Sequence, residues 1–355
     1  MALIFVCGFE SFGTTPGSAP VGFNEKWAPV SVNQGNHTND TIQAGRFDGM
    51  AFKPASNSAT FNAMVTQLFT NTQDLVCGFA FYIEDLPAAT RELMTFNSSS
   101  GAEVGVCVTS LGALKVYRLQ PGGANDIESS SDGLVIADKW YYLEMKVHIA
   151  NASGTYDVHL DGVQVVDGTA DTQTTNAFAD RIHLIGSSTS GSNTVAVLYD
   201  DFYVLDTTGS PSDFLDPRHV YTLFPTGAGD DAEFTPSAGN NYAAVDDNGH
   251  DSDSTYIESS VENAQDLYQF ADLGAEVIDI TGIMIYGIAK KTDITAFDYI
   301  AMAKSGGTEG ESSRVLVDNS SYFAAGGAIL VDPDTAAAWT IAGVNASQFG
   351  LKVGY

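Results

Sequence analysis

One stretch, Lys139 to Leu205, limits what this chain can fold into. It opens with Trp140-Tyr-Tyr-Leu-Glu-Met-Lys-Val-His-Ile149. Here Tyr141, Leu143, Met145, Val147 and Ile149 fall on one side, and Glu144, Lys146 and His148 on the other. That period of two is the signature of a half-buried strand. Tyr156-Asp-Val-His-Leu160 and Val163-Gln-Val-Val166 follow, joined by Asp161-Gly162. An Asp-Gly pair supplies the positive φ values of a tight hairpin. After a loop rich in Ser, Thr and Gly, the chain closes with Val195-Ala-Val-Leu-Tyr-Asp-Asp-Phe-Tyr-Val-Leu205. That run is apolar on both faces except at Asp200 and Asp201, so it predicts a central strand.

Three of these features carry a resemblance: Trp140-x-x-Leu-Glu144, Leu160-Asp-Gly162 and Asp200-Asp-Phe-Tyr-Val204. Their order is similar to that of the laminin-G/concanavalin-like jelly-roll family, across roughly residues 1–210. Cys7-Gly-Phe-Glu10 and Gly45-Arg-Phe-Asp-Gly49 look like that family's first strands. Such domains, in chains of this plan, are frequent in virion proteins of tailed bacteriophages. In the second half, Asn241-Tyr-Ala-Ala-Val-Asp-Asp247 and Asp332-Pro-Asp-Thr335 with Trp339 resemble a block that follows laminin-G-like domains in phage proteins. The resemblance therefore implies a β-sandwich and a place on a phage particle.

Composition agrees with a β-rich fold. The chain is 44% hydrophobic but only 17% charged, and Thr, Ser, Asn and Gly fill the difference. Its 355 residues suffice for two domains. Short strands at Leu75–Ile83, Thr90–Asn97, Glu103–Thr109 and Leu114–Leu119, with turn residues between them, predict a sandwich. Beyond the turn residues Thr207–Ser212, Val277–Ala289 is the strongest strand pattern, with Phe297–Lys304 as its expected hairpin partner. The expected architecture is all-β. A laminin-G-like jelly roll spans 1–208, a connector 209–225 and a smaller β-sandwich 226–355.

Net charge is −29, spread as −13 over residues 1–211 and −16 over 212–355. Such a surface repels phosphate backbones and argues against nucleic-acid binding. No stretch reaches the ~20 apolar residues of a membrane span. Met1-Ala-Leu-Ile-Phe-Val-Cys7 lacks a basic start and a cleavage site, so it reads as a first strand. Cys7, Cys77 and Cys107 are far apart and lie in apolar patterns, which suits buried thiols.

Local motifs for chemistry are few. Glu144 has Lys146 as its i+2 neighbour, which reads as a salt-bridged solvent face. Asp157, His159 and Asp161 share a strand face that could hold a base or a metal, or be a solvated surface. A Gly-x-Ser-x-Gly elbow, a phosphate-cradling loop and zinc spacing are all missing. Calcium is the one cofactor with a candidate loop: Asp247, Asp251 and Asp253 alternate with Gly249 in Asp246-Asp-Asn-Gly-His-Asp-Ser-Asp253. Oxygen-rich turns of this kind suit hard cations, although Ser252 stands where an EF-hand loop needs Gly. Asp200 and Asp201 form a second acidic pair, with Arg46 or Arg181 as possible partners. Tyr141, Tyr142, Tyr199, Phe202 and Tyr203 could supply core or a sugar-stacking platform, and Trp27, Trp140 and Trp339 read as packing residues.

These readings together lead to a non-enzymatic structural or adhesive protein on the exterior of a phage virion, made in the host cytoplasm. The leading form is a tail appendage or fibre-like, host-surface-binding protein; the alternatives are a capsid (head) decoration or head-fibre protein, a calcium-dependent carbohydrate-binding lectin module and, third, a glycan-degrading enzyme. The expected partners are other virion proteins, further copies of the chain and a host-surface glycan.

Overall fold

The structure is a computed structural model and describes residues 3–27, 40–47, 49–54, 63–185, 195–293 and 295–354. Two compact units emerge. The first comprises Met1–Pro20 and Trp27–Val220, the second Val21–Lys26 and Tyr221–Tyr355. Residues 209–220, expected as part of a connector, thus belong to the first unit. The serine- and threonine-rich loop before Val195 falls at 186–194, outside the described residues.

The first unit holds β1 (Leu3–Cys7), β2 (Thr41–Ala44), β3 (Met50–Lys53), β4 (Ala63–Val65), β5 (Asp74–Ile83), β6 (Arg91–Ser98) and β7 (Gly101–Val108). It continues with β8 (Leu114–Arg118), β9 (Asp126–Ser129), β10 (Trp140–His148), β11 (Gly154–Leu160), β12 (Val163–Ala170), β13 (Arg181–Ile185) and β14 (Val197–Asp206). They form two sheets. One has eight strands in the order β12-β11-β10-β5-β14-β3-β2, with β1 also on β14; the other has six, β4-β13-β6-β7-β8-β9. This is the all-β jelly-roll sandwich that the alternation predicts. Residues 45–47 and 49 lie between β2 and β3 rather than in a strand, and the Gly45 amide donates to the Gly49 carbonyl at 2.9 Å.

Register explains which side chains go where. Phe81 lies opposite Tyr141 and Tyr199, and Leu143 opposite Phe79, so these residues share one face of the eight-stranded sheet. That face looks at the other sheet, because the Tyr199 hydroxyl donates to the carbonyls of Leu93 and Ile185 at 2.9 Å. The Asp161-Gly162 turn has φ 52° and 78°, the left-handed pair a tight hairpin demands. At one end Trp27 is packed by Phe5, Phe9 and Phe202, with ring centroids 5.0, 5.6 and 5.3 Å away.

The outer face of the eight-stranded sheet departs from expectation. Glu144 is fully buried rather than solvated. Its Oε1 accepts from the Tyr203 hydroxyl and, at 2.9 Å, from the Leu215 amide. Lys146 reaches Asp213 instead, at 3.0 Å. Phe214 stacks on His159 at 4.0 Å, and the Val220 amide donates to Asp201 at 2.8 Å. Residues 213–220 therefore cross this face and close it. Gly78 makes room for the Tyr203 ring on the same face: a Cβ there would stand 2.2 Å from it. Alternation does set Glu144 on the face away from the core, but nothing local announces that a later segment folds back over that polar side.

The second unit adds β15 (Pro225–Ala232), β16 (Thr235–Pro236), β17 (Ile257–Glu258), β18 (Gln265–Phe270), β19 (Ile283–Ala289) and β20 (Phe297–Ser305). The last strands are β21 (Thr308–Glu311), β22 (Val315–Val317), β23 (Phe323–Ile329) and β24 (Gln348–Gly354). One sheet runs β15-β18-β24-β20-β21, with β22 on β20; β19 pairs with β23 and β16 with β17. The expected hairpin of 277–289 with 297–304 does not form. β19 pairs with β23 across Ile283–Ile329 to Ala289–Phe323, while β20 lies between β24 and β21. Apolar β-branched content identifies strands, whereas partners are set by packing. Ile283 and Ile285 pack on a core of Ala303, Ile329, Trp339, Val344 and Phe349. On another side, Asp266 is fully buried and accepts from the amides of Glu233 and Phe234 at 2.6 and 2.9 Å and from the Tyr268 hydroxyl at 3.0 Å.

Candidate functional site

Four places carry enough polar side chains to be considered. Three of them are occupied with holding the fold together.

The acidic loop of the second unit is one. Thr255 Oγ1 donates to Asp247 at 2.8 Å and contacts Asp251 at 2.9 Å, and the Thr255 amide also donates to Asp251 at 3.1 Å. Asp253 turns elsewhere, to Lys290 at 2.6 Å and the Tyr322 hydroxyl at 2.7 Å. The structure thus divides Asp247 and Asp251 from Asp253. Among the described residues, no group of three or more His, Cys, Asp or Glu side chains stands where it could share a metal ion.

Asp200 and Asp201 are the second. They sit at a bulge in β14, with Asp201 at φ 51°. Asp200 accepts the Arg46 amide at 2.8 Å, and Arg46 Nη1 lies 3.5 Å from Asp201. Arg181 pairs instead with Asp180, at 2.7 and 3.2 Å. Burial pushes both Asp200 and Asp201 up, Asp201 to about 6. The third place is Asp157 and His159. Their 3.4 Å contact lies on the sheet face that residues 213–220 cover, and Asp161 Oδ1 caps the Tyr142 amide at 2.8 Å. Tyr141, Tyr142, Tyr199, Phe202 and Tyr203 are all buried, so they form core and no sugar platform.

The fourth place is the outer face of the six-stranded sheet. The Tyr156 hydroxyl, from the inner side of the eight-stranded sheet, donates to Glu128 at 2.6 Å. Glu128 lies opposite Val116, and Val116 opposite Val106. These side chains therefore point inward, and their chain neighbours point out. The outward row across the strands is His183, Thr95, Gly105, Tyr117 and Asp126. A second row is Glu92, Cys107, Lys115 and Ser129. The bulge between Glu92 and Met94 lets Glu92 share this face with Thr95.

Gly105 is the device that assembles the row. A Cβ at that position would stand 2.5 Å from the Met94 carbonyl oxygen, 2.6 Å from Thr95 Cγ2 and 2.9 Å from the Tyr117 hydroxyl. Its absence lets the Tyr117 ring reach across β7 toward Thr95. Tyr117 is fully buried and His183 6% exposed, yet among the described residues neither the Tyr117 hydroxyl nor His183 Nε2 has a hydrogen-bond partner. A buried polar atom without a partner costs about 1–3 kcal/mol, and native folds rarely keep one. Two lie on this face, and two others, Glu144 Oε2 and His159 Nδ1, lie on the outer face of the eight-stranded sheet. The row opens toward solvent at Lys115 and Arg181, whose side chains are 18% and 25% exposed.

Charge states follow from burial. Burial pushes the Tyr117 phenol well up, with Glu92 adding to the effect, so the hydroxyl stays protonated. Burial lowers His183 to about 3, helped by Arg181, so its imidazole is neutral at physiological pH. Glu92 rises from 4.5 to about 7 through burial, partly offset by Arg91. The face therefore presents a phenol donor, a neutral imidazole and a carboxyl that titrates near neutrality. A group held near the working pH is suited to proton transfer.

Glu92 has a consequence for stability. Its folded value lies above the unfolded one, so the folded state binds more protons between the two. This contribution is intact below pH ~4.5 and is lost as pH rises to about 7. Glu92→Gln should flatten that part of the profile. Urea midpoints at pH 5 and 7.5 should therefore differ less in the variant than in the parent protein, and an unchanged difference would contradict the assignment.

No family model matches the chain, and no curated protein matches it. Several solved structures do, at low identity. The endo-β-1,4-glucuronan lyase of the fungus Trichoderma reesei is 14% identical with a TM-score of 0.38, covering 55% of this chain and 95% of that one. Alginate lyase Aly36B is 13% identical with a TM-score of 0.39, covering 61% and 98%. The carbohydrate-binding module CBM66 of Bacillus subtilis is 13% identical with a TM-score of 0.32, covering 47% and 92%.

These matches correct the expectation of a non-enzymatic protein on the outside of a phage particle. The structures named are polysaccharide lyases and a carbohydrate-binding module, and none of them is a virion protein. Tyr117, His183 and Glu92 form no linear motif, and only strand register brings them to one face. The signal that existed was the pairing of Gly105 with bulky polar residues at alternate positions of neighbouring strands.

Proposed function

We propose that the first unit is a carbohydrate-active enzyme domain that engages a glycan on the outer face of its six-stranded sheet and cleaves glycosidic bonds there. The single observation behind this reading is the shared orientation of two buried groups without partners, the Tyr117 hydroxyl and His183 Nε2. Both atoms are enclosed in this structure, and a glycan, dense in hydroxyl donors and acceptors, would satisfy both once it displaces what covers them. Cleavage of a glycosidic bond needs a proton for the leaving oxygen. Tyr117, kept protonated by burial, is the donor. Glu92, titrating near neutrality, is the partner carboxyl, and neutral His183 accepts a hydrogen bond without adding charge.

The test is product formation by the purified full chain on a panel of polysaccharides. New reducing ends and unsaturated ends would be followed separately, which distinguishes hydrolysis from elimination. Oligosaccharide release from at least one glycan is expected. Absence of both products across the panel, together with absence of binding, would refute the reading.

A further inference from the structure

Basic side chains on this face bear on which glycan can enter it. The chain carries 15 Lys and Arg in all, and every one lies within the described residues. Lys115 is held by Asp126 at 2.7 Å. Arg181 is held by Asp180 through both Nε and Nη2, at 2.7 and 3.2 Å. Arg91, fully buried, lies opposite Val108 and so on the inward side of β6. The two cations on the face, Lys115 and Arg181, are thus each paired with a carboxylate, in a chain of net charge −29.

Recognition of a uronic acid needs a cation that can turn to its carboxylate. Taking Lys115 or Arg181 for that purpose would break an existing pair and leave Asp126 or Asp180 beside the incoming anion. The surrounding field opposes a polyanion as well, and more strongly at low salt, where screening reaches only over longer distances. Hydroxyl groups meet neither obstacle.

Resting on the reading that this face binds a glycan, we propose that its substrate is an uncharged polysaccharide, recognised through hydroxyl groups and not through uronate or sialate carboxylates.

The experiment compares the full chain's affinity for a neutral β-glucan and a neutral mannan with that for polyglucuronate and polyguluronate of matched length, by titration calorimetry. At about 20 mM salt the better neutral glycan is expected to bind at least about tenfold more tightly than either polyuronate. Raising salt to about 0.5 M should leave neutral binding unchanged and improve polyuronate binding. Asp126→Asn releases Lys115 and should improve polyuronate binding at low salt. Tighter binding of a polyuronate by the parent protein at low salt would overturn the proposal while leaving a glycan site in place. Binding of no glycan at either salt would overturn the site itself.

Discussion

Tyr117→Phe is expected to lower glycan turnover by about 10²–10⁴-fold while leaving the protein as stable as before, or slightly more so. The first number is the usual contribution of a positioned acid or base. The second follows from burial. The Tyr117 hydroxyl is fully enclosed and, among the described residues, has no partner. Removing an unsatisfied buried hydroxyl while keeping the ring removes a cost rather than a bond. Urea denaturation and turnover measured on the same preparations check both halves. An activity loss matched by a loss of stability would mean that the hydroxyl is structural. Unchanged turnover would remove Tyr117 from the chemistry.

The second large effect is on stability. Glu103 is fully buried at the end of β7. One oxygen accepts from the Ser98 hydroxyl at 2.7 Å and the Asn176 amide at 3.0 Å; the other accepts from the amides of Thr174 and Thr175, each at 2.7 Å. A single carboxylate thereby ties residues 174–176 to the β6–β7 turn of the sheet that carries the candidate site. Glu103→Ala would leave three backbone amides and a hydroxyl without their acceptor and would open a cavity. The expected loss is about 4 kcal/mol, at the upper end for a single substitution. The midpoint of urea unfolding measures it, and a loss below ~1 kcal/mol would show that water replaces the carboxylate freely.

These two residues mark how far the sequence could be read. Alternation in Trp140–Ile149, the Asp161-Gly162 turn and the short strands from Leu75 to Leu119 led directly to the all-β sandwich, because strand period and turn chemistry are local properties. The candidate site is not local. Tyr117 and His183 are set on one face by the pairing of β8, β7, β6 and β13, and register between distant strands has no signature in one sequence. Glu144 illustrates the opposite error. Its neighbours promised a solvated face, but residues 213–220 bury it. Asp247, Asp251 and Asp253 alternate as a cation loop would, while the fold gives Asp253 to Lys290.

A glycan is expected to meet the outer face of the six-stranded sheet, and not that of the eight-stranded sheet. The imidazole resonances of the six histidines provide a direct test, since His183 lies on the first face and His159 beneath Phe214 on the second. On titration with a glycan that the protein cleaves, the His183 signals should move while those of His159 stay in place. Movement of His159 with His183 unchanged would place the site on the other sheet.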